Sequence, residues 1–467
     1  MLLHVLFLRR RTRFALGRAE ARPSEGTRTG RAEARPSEGT RTGRAEARPS
    51  DEMTIYFVAG EASGDEHGAA LMRALRELVP SLDFAGRGGP KMQTIAGGAF
   101  MNWSDSAAVV GLWEVVKRYG YFREQFQLTL REIASINPDV VVLIDYPGFN
   151  LRLARALREN TDLHSVRPAE LHSAESNTPD RTSSVRTGRM PVFRGKIIYY
   201  ISPQVWAWNR GRIGQMARSL DLMLCIFPFE AELYNKSGLR TVFVGHPMIE
   251  NLPARPTREE RQPNLVGFFP GSRLREVRKI FPIMMEAAGK ILSAREDTHF
   301  EVAAASELLA LEIRKMLVAS PLRKRIHVVT GDAAGTMQRA FAGIVASGTA
   351  TLEAAYFRLP FVLVYKVSWL TYLAARLVIK TEYLGMPNVL AGRQIIPEFI
   401  QHRARPDAIS KAVLRLMNDR DARERVISEF DAIIAKLGEG GASAKAARVI
   451  VDELNQRQAT DEPDFHG

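Results

Sequence analysis

Ile55-Tyr56-Phe57-Val58-Ala59-Gly60-Glu61-Ala62-Ser63-Gly64-Asp65 decides the fold. A short apolar run enters a glycine turn, and apolar residues then recur at helical spacing from about Gly68 through Leu71, Leu75 and Leu78. Strand, tight turn and helix form the first unit of a doubly wound α/β fold, whose ligands gather at the carboxyl ends of strands. A phosphate-cradling turn is ordinarily neutral or basic, because backbone N–H groups do the holding. Glu61 and Asp65 would repel a dianion, whereas carboxylates suit hydroxyl groups. Glu61, Ser63, Gly64 and Asp65 are therefore read as a sugar-facing site. The alternative is a Rossmann-like unit with no ligand in this turn.

Outward from this unit, strands and helices alternate. Strands are expected at 55–59, 83–86, 140–144, 197–201, 222–226 and 242–244. After a Pro-rich stretch a second series is expected at 265–269, 299–303, 325–329, 343–346 and 361–365. The parse is two Rossmann-like domains, 53–246 and 247–405, followed by amphipathic helices over 406–456 and a disordered tail at 457–467. Residues 1–52 repeat a 13-residue unit, Gly17-Arg18-Ala19-Glu20-Ala21-Arg22-Pro23-Ser24-Glu25-Gly26-Thr27-Arg28-Thr29, which recurs from Gly30 and, truncated, from Gly43. Without large apolar groups the repeat cannot bury a core, so a disordered arm is expected, with translation starting at Met53. Residues 161–194, rich in Ser, Thr, Pro and Arg, are read as an inserted surface loop.

The chain has 467 residues, 45% of them apolar, and a formal charge of +13. Residues 1–52 hold 12 arginines against 7 acids, so +8 belongs to the remainder. That surplus favours an anionic membrane face or phosphorylated substrates. No interleaved basic and aromatic pattern exists, and no nucleic-acid partner is expected. Cys225 is the one cysteine, which excludes an internal disulfide and fits a reducing compartment. The apolar stretch 361–379 is interrupted by Lys366 and Arg376, too short to cross a bilayer. Leu2 to Leu8 precedes its charges, the reverse of a signal peptide. A cytoplasmic protein is expected.

Two motifs in the second domain point to a nucleotide diphosphate. Phe269-Pro270-Gly271-Ser272-Arg273 leads from a strand into a basic helix, where open N–H groups, the Ser272 hydroxyl and Arg273 can cradle phosphates. Ser347-Gly348-Thr349 opens another helix, and Glu353 lies one turn inside it, suited to ribose hydroxyls. Taken singly, the first is also compatible with a plain αβ turn before a surface-basic helix, and the second with a capped helix and a solvated Glu. In the first domain Leu143-Ile144-Asp145-Tyr146-Pro147-Gly148-Phe149-Asn150 ends an apolar strand, so Asp145 emerges where a base is useful; a turn or capping role is the alternative. Gln204 and Trp206, in Ser202-Pro203-Gln204-Val205-Trp206-Ala207-Trp208, suit sugar binding or core packing. Residues 367–379, including Trp369 and Tyr372, resemble an interfacial anchor or a buried interdomain helix. The run 109–122 gives a weaker hint of the same kind. No His or Cys spacing fits a metal; Asp419-Arg420-Asp421 is read as a solvated face.

With these blocks in hand, and with Gly88-Gly89-Pro90-Lys91-Met92, Val244-Gly245-His246-Pro247 and Pro387-Asn388-Val389-Leu390-Ala391-Gly392, the chain from Met53 to about Gln456 resembles the lipid-A-disaccharide synthase family. The resemblance implies a GT-B fold with two Rossmann-like domains facing a cleft. It implies transfer of sugar from UDP-2,3-diacylglucosamine to 2,3-diacylglucosamine 1-phosphate by a cytoplasmic enzyme resting on the inner face of the cytoplasmic membrane, with no cofactor and no metal. Carried over, Asp145 is the expected general base, with Glu61 its rival. Glu61, Ser63 and Asp65 would orient sugars. Arg273, Ser272 and 347–349 would steady the UDP leaving group, Glu353 would hold ribose, and Asn388 would reach the donor. Arg87 departs from the pattern, standing where an aliphatic residue is expected. Other GT-B sugar-nucleotide enzymes, a UDP-N-acetylglucosamine 2-epimerase among them, are the nearest rivals, and a catalytically dead UDP-binding module is a second.

Overall fold

The computed structural model describes residues 53–98, 100–103, 119–159, 192–253, 261–369, 372 and 381–461. The arm 1–52, nearly all of the insert 161–194, most of 104–122 and most of 367–379 lie outside the described residues.

Two parallel sheets build the molecule. The first contains β1 (Thr54–Ala59), β2 (Asp83–Gly88), β3 (Phe100–Asn102), β4 (Val140–Ile144), β5 (Lys196–Tyr200), β6 (Leu222–Cys225) and β7 (Thr241–Phe243), in the spatial order β3-β2-β1-β4-β5-β6-β7. The second contains β8 (Gln262–Phe269), β9 (His299–Ala304), β10 (Ile326–Thr330), β11 (Ala340–Ala346), β12 (Phe361–Tyr365) and β13 (Glu398–Ile400), ordered β10-β9-β8-β11-β12-β13. Val140–Ile144 is buried along its whole length, as a strand covered on both faces must be. The expected strands are present. The two that sequence reading missed, β3 and β13, are three-residue edge strands, too short to show a period and suited to an edge for that reason.

Helices α1 (Ala62–Leu78), α2 (Pro90–Ala96), α3 (Tyr119–Ile136), α4 (Pro147–Arg158) and α5 (Pro228–Asn235) cover the first sheet. Helix α1 begins at Ala62, not near Gly68: Glu61 is its extended N-cap residue, and the Asp65 amide already donates to the Glu61 carbonyl. The acidic pair read as a turn is a helix-start signal, because carboxylates are favoured at the positive end of a helix.

Arg87, the unexpected cation of β2, is only 1% exposed. Its guanidinium pairs with Glu132 of α3 and donates to Gln125, while the Tyr56 hydroxyl donates to Glu132 at 2.6 Å. The departure thus arrives with its own counter-charge, which a buried arginine requires.

In the second half, α6 (Leu274–Ala294) and α7 (Ala350–Tyr356) follow β8 and β11, and α8 (Met386–Ala391) precedes β13. Of the closing helices, α9 (Pro406–Asn418) packs on β11 and β12, and α10 (Arg420–Ala435) on α7. Asp419 caps α10 through the Ala422 amide, instead of being merely solvated. The last helix, α11 (Ala442–Asp461), runs past the expected end at 456 and returns to pack on α1 and β5 of the first sheet. There Glu453, 1% exposed, takes Arg240 and Lys196 of the first domain as partners.

Candidate active site

Strand order reverses between β1 and β4, which pair from Ile55–Val140 to Ala59–Ile144. A crevice opens at such a point. Glu61 follows β1 and Asp145 follows β4, so the two carboxylates share the carboxyl edge of neighbouring strands. Glu61 is exposed and caps nothing with its side chain. Asp145 is half-buried, and burial, helped by the nearby Glu61 charge, pushes its carboxyl up to about 6. A carboxylate tuned this way is ionised at neutral pH yet a far better base than an ordinary aspartate.

The backbone at Asp145 is unusual. Asp145 and Tyr146 both have left-handed φ, +44° and +49°, which costs energy unless neighbours enforce it. The Tyr199 hydroxyl and the Asn150 amide both donate to the Asp145 carbonyl. Asn150, fully buried, also donates to Ile144 at 3.1 Å and Val58 at 3.3 Å, tying the ends of β4 and β1 together. Gly60 completes the joint: a Cβ there would lie 2.4 Å from Tyr146 Cδ1.

The second sheet reverses between β8 and β11. Residues 270–273 leave β8 and residues 347–349 leave β11, so both predicted phosphate motifs meet at this switch point. Gly271 has φ +108°, which an L-residue adopts only with strain. A Cβ there would also lie 2.8 Å from Glu276 Oε2. Ser272 and Arg273 are exposed, and Arg273 donates to Glu276 at 3.3 Å. Gly348 and Thr349 are exposed and Ser347 half-buried. Glu353 is half-buried, its carboxyl has no hydrogen-bond partner among the described residues, and burial raises it.

A family model described as lipid-A-disaccharide synthetase matches residues 55–168 and 186–450. Its gap falls inside the stretch read as an insert. The lipid-A-disaccharide synthase of Geobacter sulfurreducens is 36% identical over 412 residues, covering 86% of this chain and 98% of the relative. That of Nitrosococcus oceani is 32% identical over 394 residues, covering 83% and 92%. The chain belongs to the lipid-A-disaccharide synthetase family. It is a glycosyltransferase of lipid A disaccharide synthesis. Among solved structures it resembles MnaA of S. aureus with UDP (TM-score 0.53, 14% identity, 89% of this chain and 100% of that one) and the calicheamicin glycosyltransferase (TM-score 0.51, 14% identity, 87% and 99%). At that identity the likeness speaks for the fold alone, which is GT-B.

Four of the expected site residues face inward. Asp65 is 4% exposed, and its carboxylate accepts from the amides of Gly89, Lys91 and Met92 at 2.9–3.1 Å; it caps α2 and is not sugar-facing. Gly64 is buried in the first turn of α1, next to Ala59 and Ile144. Asn388 is fully buried, and both ends of its amide are occupied by Ile395, Ile396 and Glu398. Trp206 is 7% exposed, with its ring edge-on to Phe229 and its indole N–H donated to Glu230 at 2.8 Å, so it cannot stack a sugar. Ser63 stays exposed in the first turn of α1. Gln204 is half-buried at the end of β5, its Oε1 without a partner.

Tyr199, Asn150 and Glu230 were missed. Asn150 lay inside a motif already singled out and Tyr199 in an expected strand, but nothing in their spacing shows that they hold a backbone atom. Among the described residues, no group of three or more His, Cys, Asp or Glu could hold a metal ion.

Proposed function

We propose that this chain, acting at the inner face of the cytoplasmic membrane, transfers the sugar of UDP-2,3-diacylglucosamine to the 6-hydroxyl of 2,3-diacylglucosamine 1-phosphate. The products are the β-1,6-linked disaccharide 1-phosphate and UDP. One observation carries the residue roles: the acidic segments of the first sheet and the cationic segments of the second each fall where their own sheet reverses strand order.

Asp145 takes the 6-hydroxyl proton as that oxygen attacks the anomeric carbon, and the bond to UDP breaks on the opposite face of the ring. Glu61, with Ser63 and Gln204, holds sugar hydroxyls, and its charge helps keep Asp145 basic. Arg273, the Ser272 hydroxyl and the open N–H groups of 347–349 take up charge on the departing diphosphate. Glu353 accepts the ribose hydroxyls. Both substrates carry acyl chains, and Trp369 is 67% exposed; an amphipathic ring there supports membrane docking through about 367–379. Among the described residues no helix is long and apolar enough to cross a membrane.

The test is to incubate purified protein with both acylated substrates and follow disaccharide and UDP. Formation of both in equal amounts is expected. Epimerised UDP-N-acetylglucosamine without any disaccharide overturns the reading.

A further inference from the structure

Glu230 is fully buried at the start of α5, yet none of the roles above uses it. Its carboxylate accepts from the Ser202 hydroxyl, from the Trp206 indole at 2.8 Å and from the Phe227 amide at 3.3 Å. Tyr234, one turn further along α5, donates its hydroxyl to the Pro203 carbonyl at 2.8 Å. Residues 202, 203 and 206 are thus held by α5, while Gln204 between them keeps a buried side-chain oxygen without a partner. The grip lies beside the base. β5 pairs with β4, the Asp145 amide donates to the Tyr200 carbonyl at 3.0 Å, and the loop begins immediately after β5.

Burying a carboxylate is expensive, and an apolar side chain of similar volume commonly stabilises a core as well or better. What an apolar side chain cannot do is fix two donors on opposite sides of one residue in a single register. We propose that Glu230 is a positioning residue, which holds the 202–206 loop so that the Gln204 amide faces the sugar hydroxyls beside Asp145. This rests on the reading of Asp145 as the catalytic edge.

The test is a double-mutant cycle on Glu230→Gln and Gln204→Ala, with kcat, the KM of each sugar substrate, UDP affinity and Trp fluorescence measured for every variant. Ser202→Ala serves as a milder variant that removes one of the three hydrogen bonds. Glu230→Gln keeps the volume but cannot accept from all three donors. It should raise the KM of a sugar substrate about 10-fold, the scale of one lost hydrogen bond to a charged group, with UDP affinity unchanged and indole emission shifted. In the Gln204→Ala background the same change should have almost no further effect on KM, because residues acting as a unit are not additive. Independent, multiplying effects, or a loss of thermal stability with KM unaltered in both Glu230→Gln and Ser202→Ala, overturn the proposal. Asp145→Asn, run in parallel, separates the two readings: near-normal turnover there defeats the catalytic edge itself, whereas an inactive Asp145→Asn with no Glu230–Gln204 coupling defeats only this inference.

Discussion

The Tyr199 side chain holds the main chain of Asp145: its hydroxyl, buried on β5, donates to the Asp145 carbonyl at the end of β4. The carboxylate proposed as the base is thereby aimed from a neighbouring strand, through the main chain of a residue with left-handed φ. Tyr199→Phe removes the donor and little else. It should lower kcat about 10-fold, the effect of one lost hydrogen bond to a buried carbonyl, and leave UDP affinity unchanged. Steady-state kinetics with a UDP titration checks both; an unaltered kcat removes Tyr199 from this role.

Asp145→Asn should cut turnover about 10²-fold or more, as loss of a general base does, while the protein becomes more stable. The folded-state carboxyl sits at about 6, above its ordinary 3.8. Its stabilising contribution is therefore full below the unfolded value and lost as pH rises through about 6. At neutral pH the ionised group opposes folding, and asparagine, which tolerates left-handed φ, relieves this. An increase in Tm of roughly 2–4 °C at pH 7.5 is expected, the response to about 1 kcal/mol. Calorimetry that finds a lower Tm contradicts it.

The same carboxyl sets a pH limit. The proposed base must be ionised to act, so kcat/KM should fall about tenfold per pH unit on the acid side, with the break near 6. A break near 4, the range of an unperturbed aspartate, would point away from Asp145.

Arg273→Ala should weaken UDP binding about 10-fold, because a guanidinium on a diphosphate makes charge-assisted hydrogen bonds, without lowering Tm. Arg273 is exposed, and its contact to Glu276 is a surface pair of little worth to stability. Titration calorimetry with UDP decides; unaltered affinity defeats the cradle.

Glu132→Leu should cost about 2–3 kcal/mol, below the full penalty for breaking a buried pair because the Glu132 side chain is 40% exposed. Pairing it with Arg87→Leu should restore most of the loss, since no buried charge then stands alone. Denaturant unfolding of the three variants tests this. A double variant as unstable as Glu132→Leu alone would show that the network, not the lone charge, matters.

The architecture was largely legible because buried strands such as Val140–Ile144 and Phe361–Tyr365 are continuous apolar runs bounded by turn residues. The edge strands β3 and β13 were not, having three residues apiece. At the site, Glu61, Asp145, Arg273 and Glu353 could be picked out because each follows a strand end or lies one turn into the helix after it. Asp65, Trp206 and Asn388 sit in equally recognisable blocks but face inward. A motif records which residues occur together, and says nothing about which of them spend their polar atoms on the protein's own backbone. Tyr199, Asn150 and Glu230 act through contacts that reach 54, 92 and 28 positions along the chain, to Asp145, Val58 and Ser202. No local pattern encodes such contacts.

The return of α11 to α1, with Glu453 clasped by Arg240 and Lys196, makes the last helix of the chain part of the first lobe. A fragment cut at 246 would be missing a wall of its own interior, and one beginning at 247 would carry that wall with nothing to lean on. Split-protein reporters or separately produced lobes should therefore be designed as three pieces of sequence, with 442–461 grafted onto the lobe it completes.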